Sequence, residues 1–317
     1  MKKYLVTGGA GFIGSNIVKK LLENGEQVRV VDNFSTGKKE NVAEFFSNPN
    51  FELTEGDLMD IDVCKKAVLG VDFVLHQAAV PSVPRSIEDP LTSNNANITA
   101  TLNMLIASRD EKVKKFVYAS SSSVYGDNPE LPKKEDFPVL PISPYALTKY
   151  AGERYCQIFY RIYGLQTLCL RYFNVFGPNQ NPNSQYSAVI PKFIKCFFEN
   201  KNPVIFGTGE QSRDFTFVEN VVSANLLAAT SEKGNGEVFN IACGQENSLN
   251  QLASLLSKIT GKDIKPDYKE PRQGDVLHSL ADISKIGNVL GYFPKVLFKE
   301  GLEKTVDWFS KSSYEKF

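Results

Sequence analysis

"TGGAGFIG", residues 7–14, spaces Gly8, Gly11 and Gly14 three apart between an apolar run and an amphipathic one. Glycine lets the backbone turn tightly and lets a pyrophosphate approach a helix N-terminus, where unpaired N–H groups and the helix dipole favour negative charge. The third glycine permits close packing of helix on strand. Glycines also gather in plain turns, so the flanks decide. "YLVTGG" (4–9) reads as a strand, and a helical segment from about 11 to 24 stops at Asn24 and Gly25, a left-handed end. The next strand, "QVRVVD" (27–32), closes with Asp32. An acid there accepts both ribose hydroxyls of an adenosine and repels a phosphate on the same ribose, so NAD is expected rather than NADP. Lys38 and Lys39, close by, favour NADP. Asp57 and Leu58 in "GDL" follow a third strand; they flank the adenine, or Asp57 serves only a turn.

Further strands are read at "FELTEGD" (51–57), "FVLHQAA" (73–79), "KFVYASS" (115–121) and "QTLCLRYFNVFG" (166–177), with helices near 92–108 and 145–163. Val-, Leu- and Phe-rich runs with little polar alternation suit strands covered on both faces. Strand and helix in alternation predict an α/β fold with a doubly wound parallel sheet. After Gly177 comes a polar stretch rich in Pro and Asn, then shorter elements: helices near 191–200, 218–231, 248–260 and 298–310, and a strand at "PVIFG" (203–207). The expected division is a dinucleotide-binding domain over 1–176, with a returning segment near 215–242. Residues 177–214 and 243–317 form a smaller mixed α/β substrate lobe.

The 317 residues carry 36 basic and 36 acidic side chains, which argues against bulk attraction to nucleic acid or an anionic membrane. Five scattered cysteines without a CxxC pair, and two histidines, make a metal site or disulfide framework unexpected and suit a reducing cytoplasm. No run approaches the roughly 20 apolar residues of a membrane span, and the apolar stretch after "MKK" is too short for a signal-peptide core.

"SPYALTK" (143–149) places Tyr145 and Lys149 one helical turn apart, on one face, with Pro144 at the helix start. A phenol has a pKa of about 10 and is a poor base at neutral pH. A neighbouring ammonium stabilises the phenolate, so a lowered pKa is expected for Tyr145. The same spacing also occurs in ordinary surface pairs. Upstream, "YASSSSVYG" (118–126) puts hydroxyls at the end of a sheet strand, beside the place where parallel sheets bind ligands. One serine there can relay a sugar hydroxyl's proton to Tyr145.

The glycine spacing, the Tyr-x-x-x-Lys pair and the serine run together resemble the extended short-chain dehydrogenase/reductases over most of the chain. Counted back from "VYG", the family's Ser…Tyr-x-x-x-Lys set implies Ser121, Tyr145 and Lys149 as catalytic residues, with Ser122 and Ser123 one or two places away. The resemblance implies cofactor contacts from Gly8, Gly11, Phe12, Ile13, Gly14, Asp32, Asn33, Asp57, Leu58, Gln77, Ala78, Ala79, Tyr145 and Lys149. It implies a nucleotide-sugar diphosphate held by Asn174 of "LRYFNVFGP" (170–178) and by Arg213 and Arg272. Asp275 is matched to the nucleotide ribose, and Val189, Val204 and Phe206 lie in the same motifs. Guanidinium forks match phosphate oxygens and stay charged at any working pH; alone, each arginine reads as a surface ion pair.

Within this family the 4,6-dehydratases carry Thr-Asp-Glu where this chain has three serines, and UDP-glucuronate decarboxylases carry a Glu where this chain has Ser123. Serine with Tyr and Lys and no added acid is similar to the UDP-hexose 4-epimerases. Those enzymes oxidise C-4 transiently, turn the 4-keto sugar over and return the hydride, so the cofactor ends as NAD. "HQAAVPSVPRSIEDP" (76–90) and residues 174–191 resemble the subgroup acting on UDP-N-acetylglucosamine, with Ser82, Val83, Arg85 and Ser86 expected near nicotinamide and sugar. Ser279 falls where glucose-only relatives have a tyrosine, leaving room for an N-acetyl group; alternatively it only begins a strand. The resemblance further implies a homodimer through the helices near 92–108 and 145–163, with Tyr150, Ile158 and Ile162 in an apolar stripe. Burial within one subunit would give the same stripe.

Overall fold

A computed structural model describes residues 1–182, 188–271 and 277–311. The first half runs β1 (Lys3–Thr7), α1 (Phe12–Glu23), β2 (Gln27–Asp32), β3 (Phe51–Glu55), α2 (Ile61–Val68), β4 (Phe73–His76), α3 (Val83–Glu88), α4 (Pro90–Asn94), α5 (Ala100–Asp110), β5 (Lys115–Ser121), α6 (Pro144–Tyr163) and β6 (Thr167–Tyr172). The remainder runs β7 (Val175–Phe176), α7 (Val189–Phe198), β8 (Val204–Phe206), β9 (Ser212–Arg213), β10 (Thr216–Phe217), α8 (Val218–Thr230), β11 (Glu237–Ile241), β12 (Asn247–Ser248), α9 (Leu249–Thr260), β13 (Asp267–Lys269), β14 (His278–Ser279), α10 (Ser284–Leu290) and α11 (Phe298–Lys311).

Seven strands make one parallel sheet in the order β11-β6-β5-β4-β1-β2-β3. Alternate residues along each strand feed opposite faces. Val6, Val30, Leu75 and Val117 join the core beneath α1 and α8. Leu5, Val31, Val74 and Phe116 join the core beneath α2, α5 and α6. Covered on both faces, the strands read as near-continuous apolar runs. The order reverses between β1 and β4, and the cleft at that reversal lies outside the carboxyl ends of the strands.

After β6 the chain leaves the sheet, returns through α8 and adds β11 in parallel beside β6. The segments outside the large sheet form small pairings: β12-β9-β14, β8 with β13, and β7 with β10. Asp214 ties them together, its buried carboxylate accepting from the amides of Cys243 (2.9 Å), Gly244 (3.0 Å) and Ala281 (3.2 Å). α6 is capped at both ends: the Ser143 hydroxyl accepts from the Ala146 amide, and Gly164 ends the helix at φ +72°.

The helical stretch read near 92–108 begins at Pro90 and widens into π turns over Asn95–Thr99 before α5. Asn97, buried there, accepts from the Val80 amide (2.8 Å) and donates to Thr148 Oγ1 on α6 (3.0 Å). A side chain that joins two other segments justifies a local irregularity that no periodicity reports. The short helices α2, α3 and α10 also escape a reading based on long periodic runs.

Candidate active site

The glycine turn builds one wall of a cleft. Gly8 sits at φ +64°, and a Cβ on it would stand 2.8 Å from the Ala78 backbone. A Cβ on Gly14 would stand 2.2 Å from the Gly8 carbonyl oxygen, which is why helix and strand close up only with glycine there. Gly11 is the N-cap of α1 and brings no capping side chain, so the first-turn amides of α1 are left for a ligand. This inner cavity is lined by Gly8, Gly11, Phe12, Ile13, Asp32, Asn33, Asp57, Leu58, Gln77, Ala78, Ala79, Tyr145 and Lys149. Gly14 lies just behind its wall.

Asp32 is buried, its oxygens accepting from the amides of Ala10 (3.0 Å) and Phe34 (2.8 Å), and burial raises its pKa above the usual carboxylate value. Neither Lys38 nor Lys39 lines the cavity; Lys39 Nζ is engaged by Glu55 at 2.9 Å. Asp57 does both things its sequence context offered. Its Oδ1 accepts from the Met59 amide (2.8 Å) as a turn residue, Oδ2 accepts from Asn33 Nδ2 (3.0 Å), and it lines the cavity. Gln77 is aimed by Asn225 and Tyr172, at 3.0 and 3.1 Å, so the returning helix α8 orients a cavity residue. An uncapped helix end, an anion at the far wall and a glycine-only approach fit a dinucleotide with an unphosphorylated adenosine ribose, namely NAD.

At its near end the inner cavity meets a central one, and Tyr145 lines both. The Ser121 side chain stands by the Tyr145 hydroxyl and acts to lower its pKa. Of its neighbours, Ser120 is committed to Glu153 at 2.5 Å, while Ser122 and Ser123 line the central cavity. Lys149 donates to the Ala119 carbonyl (2.8 Å), and its Nζ stands 5.9 Å from the Tyr145 ring centroid.

The expected lowering of the Tyr145 pKa is not what the fold produces. Burial pushes it up to about 12, partly offset by the Ser121 hydrogen bond, and burial pushes Lys149 down to about 8, opposed by the Glu153 charge. Desolvation opposes whichever form is charged, and at Tyr145 it outweighs the lowering by the Ser121 side chain.

The central cavity is further lined by Ser82, Val83, Asn174, Arg213 and Ser279. Asn174, held at φ +37°, donates to the Asp214 carbonyl (3.2 Å) and reaches Ser279 Oγ at 3.5 Å. Ser279 both lies in a strand, paired with Arg213, and faces the cavity. Asn174 and Arg213 also line an outer cavity with Val189, Val204 and Phe206. Lys192, Lys195, Gln211 and Lys269 line it too, and no sequence pattern had marked them. Arg272 and Asp275 lie outside the described residues.

Two expected residues behave differently. Ser86 is buried away from the three cavities, its Oγ donating to Val83 O (2.7 Å) and accepting from the Tyr145 amide (3.0 Å). It holds the backbone of Tyr145 instead of facing a ligand. Arg85 likewise lines none of the three cavities. Behind Lys149 lies a group that sequence reading passed over. Glu153, one further turn along α6, takes two 2.8 Å bonds from Arg171. The i, i+4 spacing from Lys149 was the available signal.

The sequence pattern described as "NAD dependent epimerase/dehydratase family" matches residues 4–242. The chain is 37% identical to a UDP-glucose 4-epimerase of Mycolicibacterium smegmatis over 98% of its own length and 99% of the relative's. It superposes with TM-score 0.93 on a UDP-N-acetylglucosamine 4-epimerase from Methanobrevibacter ruminantium M1 in complex with UDP-N-acetylmuramic acid, at 44% identity covering 98% of each chain. It superposes with TM-score 0.92 on a Thermotoga maritima UDP-glucose 4-epimerase with UDP-glucose, at 43% identity covering 98% of this chain and 99% of that one.

Proposed function

The chain belongs to the NAD dependent epimerase/dehydratase family, and we propose that it interconverts UDP-hexoses epimeric at C-4. The principal pair is UDP-N-acetylglucosamine and UDP-N-acetylgalactosamine, with UDP-glucose and UDP-galactose as a second. The observation that carries this reading is the place of Tyr145, common to the inner and central cavities, with Ser121 beside it in the wall of the central one. NAD, when bound, supplies the acceptor and donor of hydride. Tyr145 takes the proton of the C-4 hydroxyl and returns it, and Ser121 relays it. Among the described residues lining the central cavity there is no Asp or Glu, so no acid stands ready to expel water from the sugar.

Anchoring supports the same reading. Arg213 and Asn174 stand where the central and outer cavities join, suited to a diphosphate, while Val189, Val204 and Phe206 give the outer cavity an apolar wall for a nucleoside. Grip on the nucleotide leaves the hexose free to turn over. Ser279, small and beside Asn174, leaves space for an acetamido group. Exposed apolar side chains support a homodimer: Leu147, Ile158 and Ile162 on α6 are 54%, 40% and 68% exposed, and Leu91 on the adjoining α4 is 69% exposed. Tyr150 leaves this stripe and packs against the subunit's own Val124, Tyr125 and Phe173 cluster.

Incubation with UDP-N-acetylglucosamine, followed by proton NMR without added NAD, tests the proposal. Appearance of the 4-epimer is expected. A product that forms only with stoichiometric cofactor points to net oxidation and overturns it.

A further inference from the structure

Lys133, a cation in the wall of the central cavity, gives its ammonium to the Asn128 carbonyl. Glu153 and Arg171 are placed differently. They line none of the three cavities and are shut away from solvent, with Glu153 one helical turn beyond Lys149. A buried ion pair is weak evidence for stability, because well-packed apolar side chains of similar volume serve as well or better. Its presence behind the reacting pair asks for another reason.

The contacts supply one. Successive turns of α6 meet the end of β5: Lys149 Nζ donates to the Ala119 carbonyl at 2.8 Å, and the Glu153 carboxylate accepts from the Ser120 hydroxyl at 2.5 Å. Arg171, paired with Ser120 across β5 and β6, holds the same carboxylate with two 2.8 Å bonds. Anchored from two strands, the carboxylate is fixed on the helix face it shares with Lys149.

The other titratable groups around Lys149 bring it no negative charge. Its Nζ stands 5.2 Å from the ring centroid of Tyr118 on β5 and 5.9 Å from that of Tyr145, and its charge reaches His76 on β4. Burial holds Tyr118 and Tyr145 as phenols and His76 as the neutral imidazole. Arg171 is bound to Glu153. Of the described groups, Glu153 is the anion that acts on Lys149, and it opposes the burial that pushes the lysine down to about 8.

We propose that Glu153 is a positioning residue for the reaction: its carboxylate, fixed by Arg171 and Ser120, keeps Lys149 an ammonium ion while Tyr145 moves the proton. The inference rests on the UDP-hexose reading above and deepens it. An ammonium beside a phenol favours the phenolate, and a neutral amine does not.

The protonation of Lys149 is followed by carbon NMR on the NAD-loaded full chain labelled at lysine Cε, its signal identified by its loss in Lys149→Met. Glu153→Gln and the double variant Glu153→Leu/Arg171→Met are expected to lower the midpoint of that titration by about one pH unit or more. Glu153→Asp and Ser120→Ala, which keep the charge, should shift it little. With whichever UDP-hexose the wild type turns over, kcat of the double variant should fall about tenfold below wild type above pH 8 and approach it near pH 6, with KM little changed. A merely structural pair would lose its effect in the double variant, whose apolar side chains restore the packing. If Glu153→Gln does not fold, the double variant decides. An unmoved midpoint in a folded variant, or a lowered midpoint with the pH dependence of kcat unchanged, overturns the inference. Absence of turnover by wild type sinks the epimerase reading instead, and the titration still tests Glu153.

Discussion

Arg171 and Glu153 meet in two parallel 2.8 Å hydrogen bonds, 3% and 1% exposed, one helical turn beyond Lys149. Ser120 adds a third bond to the carboxylate, and the guanidinium lies 4.7 Å from the Tyr125 ring centroid. Removing one partner strands a buried charge. Glu153→Gln or Arg171→Met is expected to lower the unfolding free energy by about 3–5 kcal/mol. The double variant Glu153→Leu/Arg171→Met should recover most of the loss. Urea denaturation midpoints of the three variants check this, and a double variant as weak as the singles refutes it.

In the proposed mechanism the Tyr145 hydroxyl, with Ser121 beside it, carries the proton transfer. Tyr145→Phe is expected to cut kcat by about 10²- to 10⁴-fold, and Ser121→Ala by less, since the phenol remains. Melting temperatures should stay near wild type. NMR time courses on UDP-N-acetylglucosamine read the first effect, and full turnover by Tyr145→Phe would contradict the assignment.

His76 gives stability a dependence on pH. Thr101 spends its hydroxyl proton on the Asn97 carbonyl (2.6 Å), so at 3.0 Å it must accept from His76 Nε2–H. Nδ1 is then the acceptor for Thr7 at 2.8 Å. Burial first, and the Lys149 charge second, lower the His76 pKa from 6.5 to about 3. The unfolded chain therefore binds the proton more tightly, and stability is complete above pH 6.5 and falls as pH drops toward 3. At pH 4 the loss is on the order of 3 kcal/mol, at about 1.4 kcal/mol per pH unit. Asp214, raised to about 6 by burial, works in the opposite direction over part of that range. The slope between pH 6.5 and 4 should therefore flatten in His76→Gln, measured by chemical denaturation; an unchanged slope excludes His76 as its source.

Ser279→Tyr would fill the space beside Asn174. Activity on UDP-N-acetylglucosamine should fall by about 10- to 200-fold relative to UDP-glucose. Competition assays with both sugars measure the ratio, and equal losses on the two would remove Ser279 as a determinant of sugar size.

Ile158→Glu with Ile162→Glu places two charges in the exposed apolar strip of α6. Light scattering is expected to find a dimer for wild type and a monomer for the double variant. A wild-type monomer at micromolar concentration would dispose of the dimer.

Much of the site is local and so could be read directly. Gly8 and Gly14 are required by the turn they make, and Tyr145 and Lys149 share a face because a helix repeats every 3.6 residues. Ser86 misled because its true partner, the Tyr145 amide, is 59 residues away. Ser120 and Ser121 look alike in the chain; only the fold shows that the Ser120 hydroxyl is committed to Glu153, 33 residues away on α6. Lys133 sits in a stretch without periodicity, so nothing marked it before the segment was seen folded against Leu280 and Asp282.

The chain's own pattern was enough for the alternation of strands and helices, the glycine turn and the shared helix face of Tyr145 and Lys149, because periodicity, backbone freedom and helical spacing act over a few residues. Folding alone settled the direction of the Tyr145 and Lys149 pKa shifts, the commitment of Ser120 to Glu153, and the placing of Lys133 in the wall of the central cavity. Those are consequences of desolvation and distance, and both are set by side chains that lie far apart along the chain.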